Sequence, residues 1–481
     1  MEFSEENIVK IFGHEAAENE DITRLKSYYL KGSTYDQVVN DLPIRILVGH
    51  KGIGKSALFR VAMEDERQSK KLSILIKPDD IDGIAGEEKE INSLIKDWKK
   101  GIIEIVSRKA LESFGLEYEG FREKLNKAGG KFLNFLRTTL QAKDHADLSE
   151  TDKIIIDQFK QTGNMYIYLD DLDRGWEGRS KDIKRISALL NAIRDLSSDT
   201  PQMHFRVSLR SDVYYLVRTS DESTDKIEGS VVWQSWTNHE ILALLAKRID
   251  NYHGKETDTS ELLNKTQSQL AEHLNGIMTE RFEGKGNWNN IPTYRMLMSL
   301  IRRRPRDLVK LCTSAAREAR SNNKKIIDTD SFNAIFEDYS QSRLQDTINE
   351  YRSELPDIER LLLGMKPSKR QRNGKSAYIY DTEALLQKIA NIQQSGPFKF
   401  AGVKTPSDRR SLAAFMYKIN FITARKEIGE YIDRKYFEEN RYLQNKFADF
   451  GFEWEIHPAY RWALQPESIN DIFTSMRPSA D

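Results

Sequence analysis

The sequence predicts an α/β protein whose core is a parallel, doubly wound sheet built around a phosphate-binding loop. Three observations predict this fold class. Residues 44–56 read as a short apolar strand that runs directly into the pattern G-x-x-x-x-G-K-S. Residues 165–174 read as a second apolar strand that ends in carboxylates. Strand and helix patterns alternate between 44 and 236, as they do in parallel sheets.

The loop after the first strand fits the phosphate-loop pattern at every fixed position. In this pattern the glycines let backbone N–H groups close on phosphate oxygens, Lys55 reaches the β- and γ-phosphates, and the Ser56 hydroxyl ligates Mg²⁺. The helix predicted over 57–63 offers its positive N-terminus to the same anion. We therefore expect ATP and Mg²⁺ as ligands. The residues expected to contact the nucleotide are Gly49, His50, Lys51, Gly52, Ile53, Gly54, Lys55, Ser56 and Ala57.

The carboxylates after the second strand are candidates for the metal and for the attacking water. Asp170 is the best candidate for the acid that holds Mg²⁺. Asp171, one residue on, could polarise the attacking water, and Asp173 is a second candidate for that role. A solvated strand end is the alternative, but the phosphate loop upstream favours the metal site.

Two arginine sites could respond to a bound phosphate. Arg210 follows the strand predicted over 203–209 and could sense the γ-phosphate or complete a neighbouring subunit's site as an arginine finger. The alternative is a surface arginine paired with Asp212. Four of the five residues 302–306 are arginines at a predicted helix start. Arg306 is the candidate phosphate sensor of this lid helix, and a solvated helix start is the alternative.

Composition limits the classes of partner. Of 481 residues, 31% are charged, and Lys+Arg and Asp+Glu both number 74. With no net charge, the chain has no general attraction for nucleic acid or anionic membranes, so such binding needs a local patch. The single cysteine, Cys312, excludes an intrachain disulfide or a cysteine-based zinc site. No apolar run reaches membrane-spanning length and no signal-peptide core is present, so we expect a cytoplasmic protein without membrane contact.

The pattern along the chain predicts four regions. They are a helical segment over 1–43, the core over 44–236 with a helical insertion near 90–160, a helical lid over 237–345 and a winged-helix-like α+β domain over 346–481. Core strands are predicted at 44–48, 72–77, 165–169 and 203–209, with a possible fifth at 227–233. Strands are expected to stop near 237, and 340–363 is expected to be a charged helix and linker. In the last region, helices at 381–394 and 408–420 precede strands near 421–423 and 450–457.

A basic run lies at the start of the last region. It consists of Lys366, Lys369, Arg370, Arg372 and Lys375. With a wing beside it, this run could contact DNA or RNA phosphates. A solvated loop is the alternative, because charge runs usually lie in solvent.

Several of these motifs together resemble one branch of the P-loop ATPases. The strand ending in Asp-Asp-Leu-Asp-Arg at 170–174, the strand ending in Leu-Arg-Ser-Asp at 209–212 and the arginine-rich helix start resemble the AAA+/STAND group, and the first looks especially like KAP-type ATPases. The likeness covers 1–345 and, more weakly, the C-terminal region. The guanine-binding motif N-K-x-D is absent, since 264–267 lack its aspartate, and no L-S-G-G-Q signature appears.

The resemblance implies binding of ATP and Mg²⁺ between core and lid, with homo-oligomers in which one subunit's arginine completes the neighbouring site. The family's loop lysine falls on Lys55, its Mg²⁺ ligands on Ser56 and Asp170, and its water-activating acid on Asp171 or Asp173. Many such proteins are switches or assembly platforms in prokaryotic antiviral systems. We therefore expect an ATP-hydrolysing switch that acts through a separate effector protein. The alternatives are a DNA-acting ATPase similar to initiators and helicase loaders, and a nucleotide-binding scaffold with little turnover.

Overall fold

The computed structural model describes residues 2–84, 89–113, 161–220, 222–368, 377–429, 431–440 and 451–465, and singly 134, 136, 138, 155, 159, 472 and 476. The chain forms two compact units. The core unit consists of Asp21–Lys26 and Lys31–Gln234, and the C-terminal unit consists of Met1–Glu20, Ser27–Leu30 and Ser235–Asp481. Within the described ranges, no helix is long and apolar enough to cross a membrane.

The described strands and helices are numbered here in chain order. The strands are β1 Ile44–Gly49, β2 Leu72–Ile76, β3 Met165–Leu169, β4 Met203–Arg210, β5 Val231–Trp233, β6 Arg281–Phe282, β7 Ile291–Pro292, β8 Ile379–Tyr380, β9 Ile422–Ile428, β10 Tyr431–Lys435 and β11 Glu453–Ile456. The helices are α1 Glu5–Phe12, α2 Ile22–Tyr28, α3 Ser33–Val39, α4 Lys55–Gln68, α5 Ile91–Ser113, α6 Ser180–Asp199, α7 Ser211–Ser220, α8 Asn238–Tyr252, α9 Thr259–Asn264, α10 Gln267–Glu272, α11 Thr293–Leu300, α12 Pro305–Ser321, α13 Thr329–Tyr351, α14 Ile358–Gly364, α15 Thr382–Gln393, α16 Arg409–Lys418 and α17 Arg461–Leu464. Short 3₁₀ helices lie at Ala17–Asn19, Pro78–Ile81, Glu222–Ser230, Gly286–Trp288 and Pro458–Tyr460.

The core unit contains a five-stranded parallel sheet in the order β2-β3-β4-β1-β5. All five strands were predicted, and the α/β fold class with a parallel P-loop core is confirmed. The order places β4 alone between β1, which precedes the loop, and β3, which precedes the acids. Because the strands are parallel, their carboxyl ends meet at one edge of the sheet.

Helices cover both faces of this sheet, as the doubly wound prediction requires. On one face, Ile167 and Phe205 share a buried cluster with Trp98 of α5 and Leu189 of α6. On the other face, Tyr168 packs edge-to-face against Phe59 of α4, with ring centroids 5.0 Å apart. Burial on both faces explains why β3 is a continuous apolar run rather than an alternating one.

In the C-terminal unit, helices dominate up to residue 364. Helices α8 to α13 lie within or begin within the range predicted for the helical lid, and Asp328 caps α13 by accepting the backbone N–H of Ser331. One expectation was wrong. The strands do not stop near 237, because β6 and β7 form a short antiparallel pair. The charged helix and linker expected over 340–363 correspond to the end of α13 at Tyr351 and the non-helical residues before α14.

After α14 the same unit contains a four-stranded antiparallel sheet in the order β10-β9-β11-β8. Helices α15 and α16 lie between β8 and β9 in the chain. The strand at 431–435 was not predicted. Beyond α5, most of the predicted insertion near 90–160 lies outside the described residues. Four members of the basic run also lie outside them. Of that run, only the exposed Lys366 is described.

Candidate nucleotide site

The turn after β1 is shaped by glycines at positions that other residues cannot occupy without strain. A Cβ on Gly49 would lie 2.9 Å from Cγ2 of Ile53 and 3.2 Å from Cβ of Gln234. Gly54, the residue before α4, has φ = 105°, in the region that favours glycine. The chain therefore makes a tight turn that ends at the N-terminus of a 14-residue helix. A phosphate group fits such a cradle, since backbone N–H groups and the helix dipole attract an anion.

Lys55 begins α4 and folds back over the loop. Its Nζ donates to the carbonyl oxygens of Gly49, at 2.9 Å, and of His50, at 3.3 Å. The ammonium group is thereby held at the start of the loop, where it would contact a bound phosphate. Ser56 follows it in the first turn of α4 and is half-buried. Both residues lie at the positions that the sequence motif requires.

Asp170 lies at the same edge of the sheet, immediately after β3. Its backbone N–H donates to the Ile76 carbonyl at 3.1 Å, which extends the pairing of β2 with β3. Its Oδ1 accepts a hydrogen bond from Oγ of Ser208, a buried residue of β4. Ser208 pairs in register with Leu47 of β1, so it lies between the acid and the strand that leads into the loop. The hydroxyl therefore fixes the orientation of the carboxylate that would hold Mg²⁺.

Asp173 and Arg210 form a buried ion pair. Nε of Arg210 lies 3.0 Å from Oδ2 of Asp173, and the same guanidinium also holds Asp212, with Nε 3.0 Å from Oδ1. Burial raises the pKa of Asp173 to about 6, and the carboxylates of Asp212 and Asp171 act in the same direction. Arg210 and Lys55 oppose that rise. Arg210 does pair with Asp212, but it is mostly buried rather than a surface residue.

Asp171 occupies a different environment from Asp173. Its backbone has φ = 57°, a left-handed conformation that aspartate tolerates better than most residues. Its carboxylate is half exposed, and Oδ2 accepts from Nε of Arg174 at 3.1 Å. Of the two proposed acids for the water, Asp171 is thus the accessible one, while Asp173 is committed to Arg210.

A contact between the loop and the start of α7, which follows β4, was not predicted. Oγ of Ser211 lies 3.1 Å from Nδ1 of His50, and both side chains are buried. Together with the bond from Ser208 to Asp170, it ties the end of β4 to its neighbours. One signal was available in the sequence. Polar residues recur at every second position of β4, and the group comprises His204, Arg206, Ser208 and Arg210.

The arginine-rich segment lies in the C-terminal unit and is partly structural. Nε of Arg302 lies 2.7 Å from Asp307, and Nη1 of Arg304 lies 2.9 Å from Glu350, and all four side chains are nearly fully buried. Arg306, the predicted phosphate sensor, is half-exposed, and its Nε donates to the Glu15 carbonyl at 3.1 Å.

The candidate metal ligands at this edge of the sheet suit Mg²⁺, which also binds phosphate oxygens and water, rather than a metal ion held by protein side chains alone. Among the described residues there is no group of three or more histidine, cysteine, aspartate or glutamate side chains that could hold a metal ion. A hydroxyl from Ser56 and a carboxylate from Asp170 are oxygen ligands of the kind that Mg²⁺ uses together with phosphate oxygens and water. The fold and this edge of the sheet define the class, an α/β P-loop NTPase.

Two known sequences or families are similar to this chain. Residues 239–348 match the family described as the FunZ-associated C-terminal helical domain. The whole chain is similar to the Escherichia coli (strain K12) protein described as "Putative transposon gamma-delta 80.3 kDa protein", with 22% identity over 519 residues, covering 96% of this chain and 69% of that protein.

This chain is also similar to solved structures. The Walker-type ATPase paby2304 of Pyrococcus abyssi has 14% identity and a TM-score of 0.37, covering 85% of this chain and 91% of that chain. The ORC2 protein of Aeropyrum pernix, in ADPNP–ADP complexes, has 10% identity and a TM-score of 0.44, covering 92% of each chain. The fold assignment itself stands on the sheet order and the loop described above.

Proposed function

We propose that this protein is a Mg²⁺-dependent ATPase that catalyses ATP + H₂O → ADP + phosphate. One observation carries the proposal. The glycine loop with Lys55 folded over it and the carboxylate of Asp170, oriented by Ser208, lie at the ends of strands separated only by β4. A phosphate loop and an acid at that spacing are the two parts that P-loop NTPases use to hold a nucleotide and its metal.

In the proposed mechanism, this chain mainly positions groups and stabilises charge. The loop N–H groups and Lys55 bind the phosphates, while Ser56 and Asp170 would hold Mg²⁺. When bound, Mg²⁺ would neutralise part of the charge on the phosphate oxygens. Asp171, the accessible acid of the loop after β3, is proposed to orient the attacking water.

The substitution Lys55→Ala tests the proposal. Removing the ammonium group takes away the cation that donates to the loop carbonyls, so we expect ATP binding to be lost in a filter-binding assay. Lys181→Ala, which removes an exposed lysine of the same unit, is the matched control and should bind ATP normally. Unchanged ATP affinity in the Lys55 variant would defeat the proposal.

We further propose that the ATPase works as a switch or assembly protein through a separate effector in prokaryotic antiviral defence. The support is the resemblance of the acid strand and the strand ending in Arg210 to AAA+/STAND proteins. A scaffold that binds nucleotide without turnover is the plainer alternative. Release of phosphate from ATP by wild-type protein, absent in Lys55→Ala, would separate an ATPase from a scaffold.

A second candidate is a DNA-acting ATPase. It is favoured by the element order α14-β8-α15-α16-β9-β10-β11 with one four-stranded sheet, an order compatible with a winged helix. Arg409 and Arg410 are exposed at the start of α16, where they could meet phosphates, and the similar protein is described as a transposon protein.

Charge neutralisation tests this second candidate. Arg409→Gln combined with Arg410→Gln should weaken binding of a fluorescent DNA duplex about tenfold or more at low salt, because phosphate contacts supply much of the affinity. The same result is expected on neutralising Lys366, Lys369, Arg370, Arg372 and Lys375. Lys96→Gln with Lys100→Gln, two exposed lysines of α5, is the charge-matched control. Wild-type protein that binds no DNA would exclude the candidate.

A further inference from the structure

The side chain of His50 connects the first half of the phosphate loop to α7, the helix that follows β4. The strand register pairs Gly49 with Arg210. The residues that follow them, His50 and Ser211, therefore come side by side. Nδ1 of His50 is 3.1 Å from Oγ of Ser211, and both residues are 2% exposed. A hydroxyl can donate to or accept from an imidazole nitrogen, so this hydrogen bond is possible with either neutral tautomer of His50.

Helix α7 gives the loop a fixed point of attachment within the core unit. Asp212, the residue after Ser211, holds Arg210 at the end of β4, with Oδ1 3.0 Å from Nε. One turn further on, Tyr214 packs edge-to-face against Trp233 of β5, with ring centroids 5.6 Å apart. The start of α7 is thus held by β4 on one side and by β5 on the other, so the hydroxyl of Ser211 has a defined position.

The backbone of His50 carries groups that shape the loop. Its carbonyl oxygen accepts from the backbone N–H of Ile53 and from Nζ of Lys55, each at 3.3 Å. The first bond closes the turn, and the second holds the ammonium group that would contact a phosphate. A rotation of the His50 peptide would move both groups. The hydrogen bond from the imidazole to Ser211 opposes that rotation, and because it is buried, breaking it would leave a polar atom without a partner.

We propose that His50 is a positioning residue whose imidazole, bonded to Ser211, holds the phosphate loop in the shape that binds the α- and β-phosphates of a nucleotide. A loop already held in its binding shape loses less conformational freedom when the phosphates arrive, so its affinity is higher. The gain is the same for ATP and ADP, because both carry these two phosphates. This inference rests on the proposed function, since it requires a nucleotide at the loop.

The test compares two replacements of His50 that separate hydrogen bonding from packing. His50→Leu keeps a buried side chain of similar size but cannot bond to Ser211. His50→Asn is smaller, but its amide places a hydrogen-bonding atom at the position of Nδ1. We would measure the dissociation constants of ADP and of a slowly hydrolysed ATP analogue, both with Mg²⁺, by calorimetry. His50→Leu should weaken both nucleotides about fivefold, and His50→Asn should stay within about twofold of wild type.

The hydroxyl on the other side of the contact gives an independent variant. Ser211→Ala should also weaken both nucleotides about fivefold. Combined with His50→Leu it should add nothing further, because the two substitutions remove the same hydrogen bond. Ser197→Ala is the matched control, since Ser197 is a buried serine near the end of α6, which leads to the start of β4 at the opposite edge of the sheet. The control should leave both affinities unchanged.

The inference is overturned if His50→Asn binds nucleotide as weakly as His50→Leu, since packing rather than the hydrogen bond would then shape the loop. It is also overturned if the effects of His50→Leu and Ser211→Ala add, or if both variants bind as wild type does. If the His50 variants do not fold, Ser211→Ala decides by itself, because it removes a single oxygen atom, and unchanged affinity then overturns the inference. Failure of the proposed function looks different, because wild-type protein would bind neither nucleotide or would bind both without Lys55.

Discussion

At the scale of a single residue, the buried Glu66 makes the stability of the core unit depend on pH. It lies on α4, eleven positions after the loop lysine, and is almost completely buried. Burial raises the pKa of Glu66 to about 7, although Tyr168, Arg206 and Lys71 oppose the rise. A carboxyl group with a raised pKa favours the protonated form in the folded state. Its contribution to stability is therefore fully present below its unfolded pKa and is lost as the pH rises through about 7.

We predict that Glu66→Gln removes this loss. The shift corresponds to roughly 3 kcal/mol between low and neutral pH, to order of magnitude. Urea unfolding at pH 5 and pH 8 should show that the variant gains stability relative to wild type at the higher pH. Glu64→Gln, an outer position of the same helix where the carboxylate accepts from Gln68, is the control. Equal pH dependence in wild type and Glu66→Gln would contradict the prediction.

At the scale of the residue, the sequence predicted candidate site residues that belong to a local motif. It did not predict contacts that depend on how two strands align. Lys55 and Asp170 follow from spacing within one strand–loop segment each. The bond from Ser208 to Asp170 depends on how β3 and β4 align, which neither segment contains by itself. Likewise, the sequence alone could not decide whether Asp171 or Asp173 is the acid that orients the attacking water, because the two side chains differ in burial.

At the scale of elements, the start of α12 is fixed by a buried ionic network. Asp307 accepts from Arg302 and from Arg343 of α13, each at 2.7 Å, and Arg302 also donates to Tyr460 at 3.1 Å. Burial alone would raise the pKa of Asp307, but Arg302 and Arg343 hold it well below its usual range. The arginines that the sequence assigned to phosphates or partners are thus partly the structural support of this helix.

We predict that Asp307→Asn is strongly destabilising. It would leave the buried guanidinium of Arg302 without the carboxylate of Asp307, while Arg343 keeps its pair with Asp346, and breaking such a buried ion pair typically costs about 3 kcal/mol or more. Asp330→Asn, at a position 85% exposed and paired with Lys324, should stay within about 0.5 kcal/mol of wild type. Chemical denaturation of both variants checks this. A small effect of Asp307→Asn would show that the network adds little to stability.

Elements that a local sequence pattern marks were predicted, whereas strand β10, which depends on pairing with another strand, was not. The core strands are short apolar runs bounded by turn residues, which is a local signal. Strand β10 carries the charged residues Asp433, Arg434 and Lys435, so no apolar pattern marks it. It is a strand because its backbone pairs with β9. Its Arg434 also forms an ion pair with the buried Glu455 of β11, with Nε 2.8 Å from Oε2.

At the scale of the whole molecule, the open question is whether nucleotide changes the state of assembly. The core unit carries an exposed arginine, Arg174, in the loop of the proposed catalytic acid. Its partners, Asp171 and Asp79, are themselves exposed, so these ion pairs are worth little and are easily exchanged. An arginine held so weakly at the edge of a phosphate site is available to a second subunit.

We therefore predict that Mg²⁺ with a slowly hydrolysed ATP analogue raises the molar mass measured by light scattering. A phosphate bound at the loop gives a neighbouring arginine a stronger partner than an exposed carboxylate, so the assembly should form only with nucleotide. Lys55→Ala should keep the nucleotide-free mass, because it lacks the binding step, and Arg174→Ala should bind nucleotide but assemble poorly. A wild-type mass that is the same with and without nucleotide would argue against the switch and favour the DNA-acting alternative, for which DNA-stimulated turnover is the next measurement.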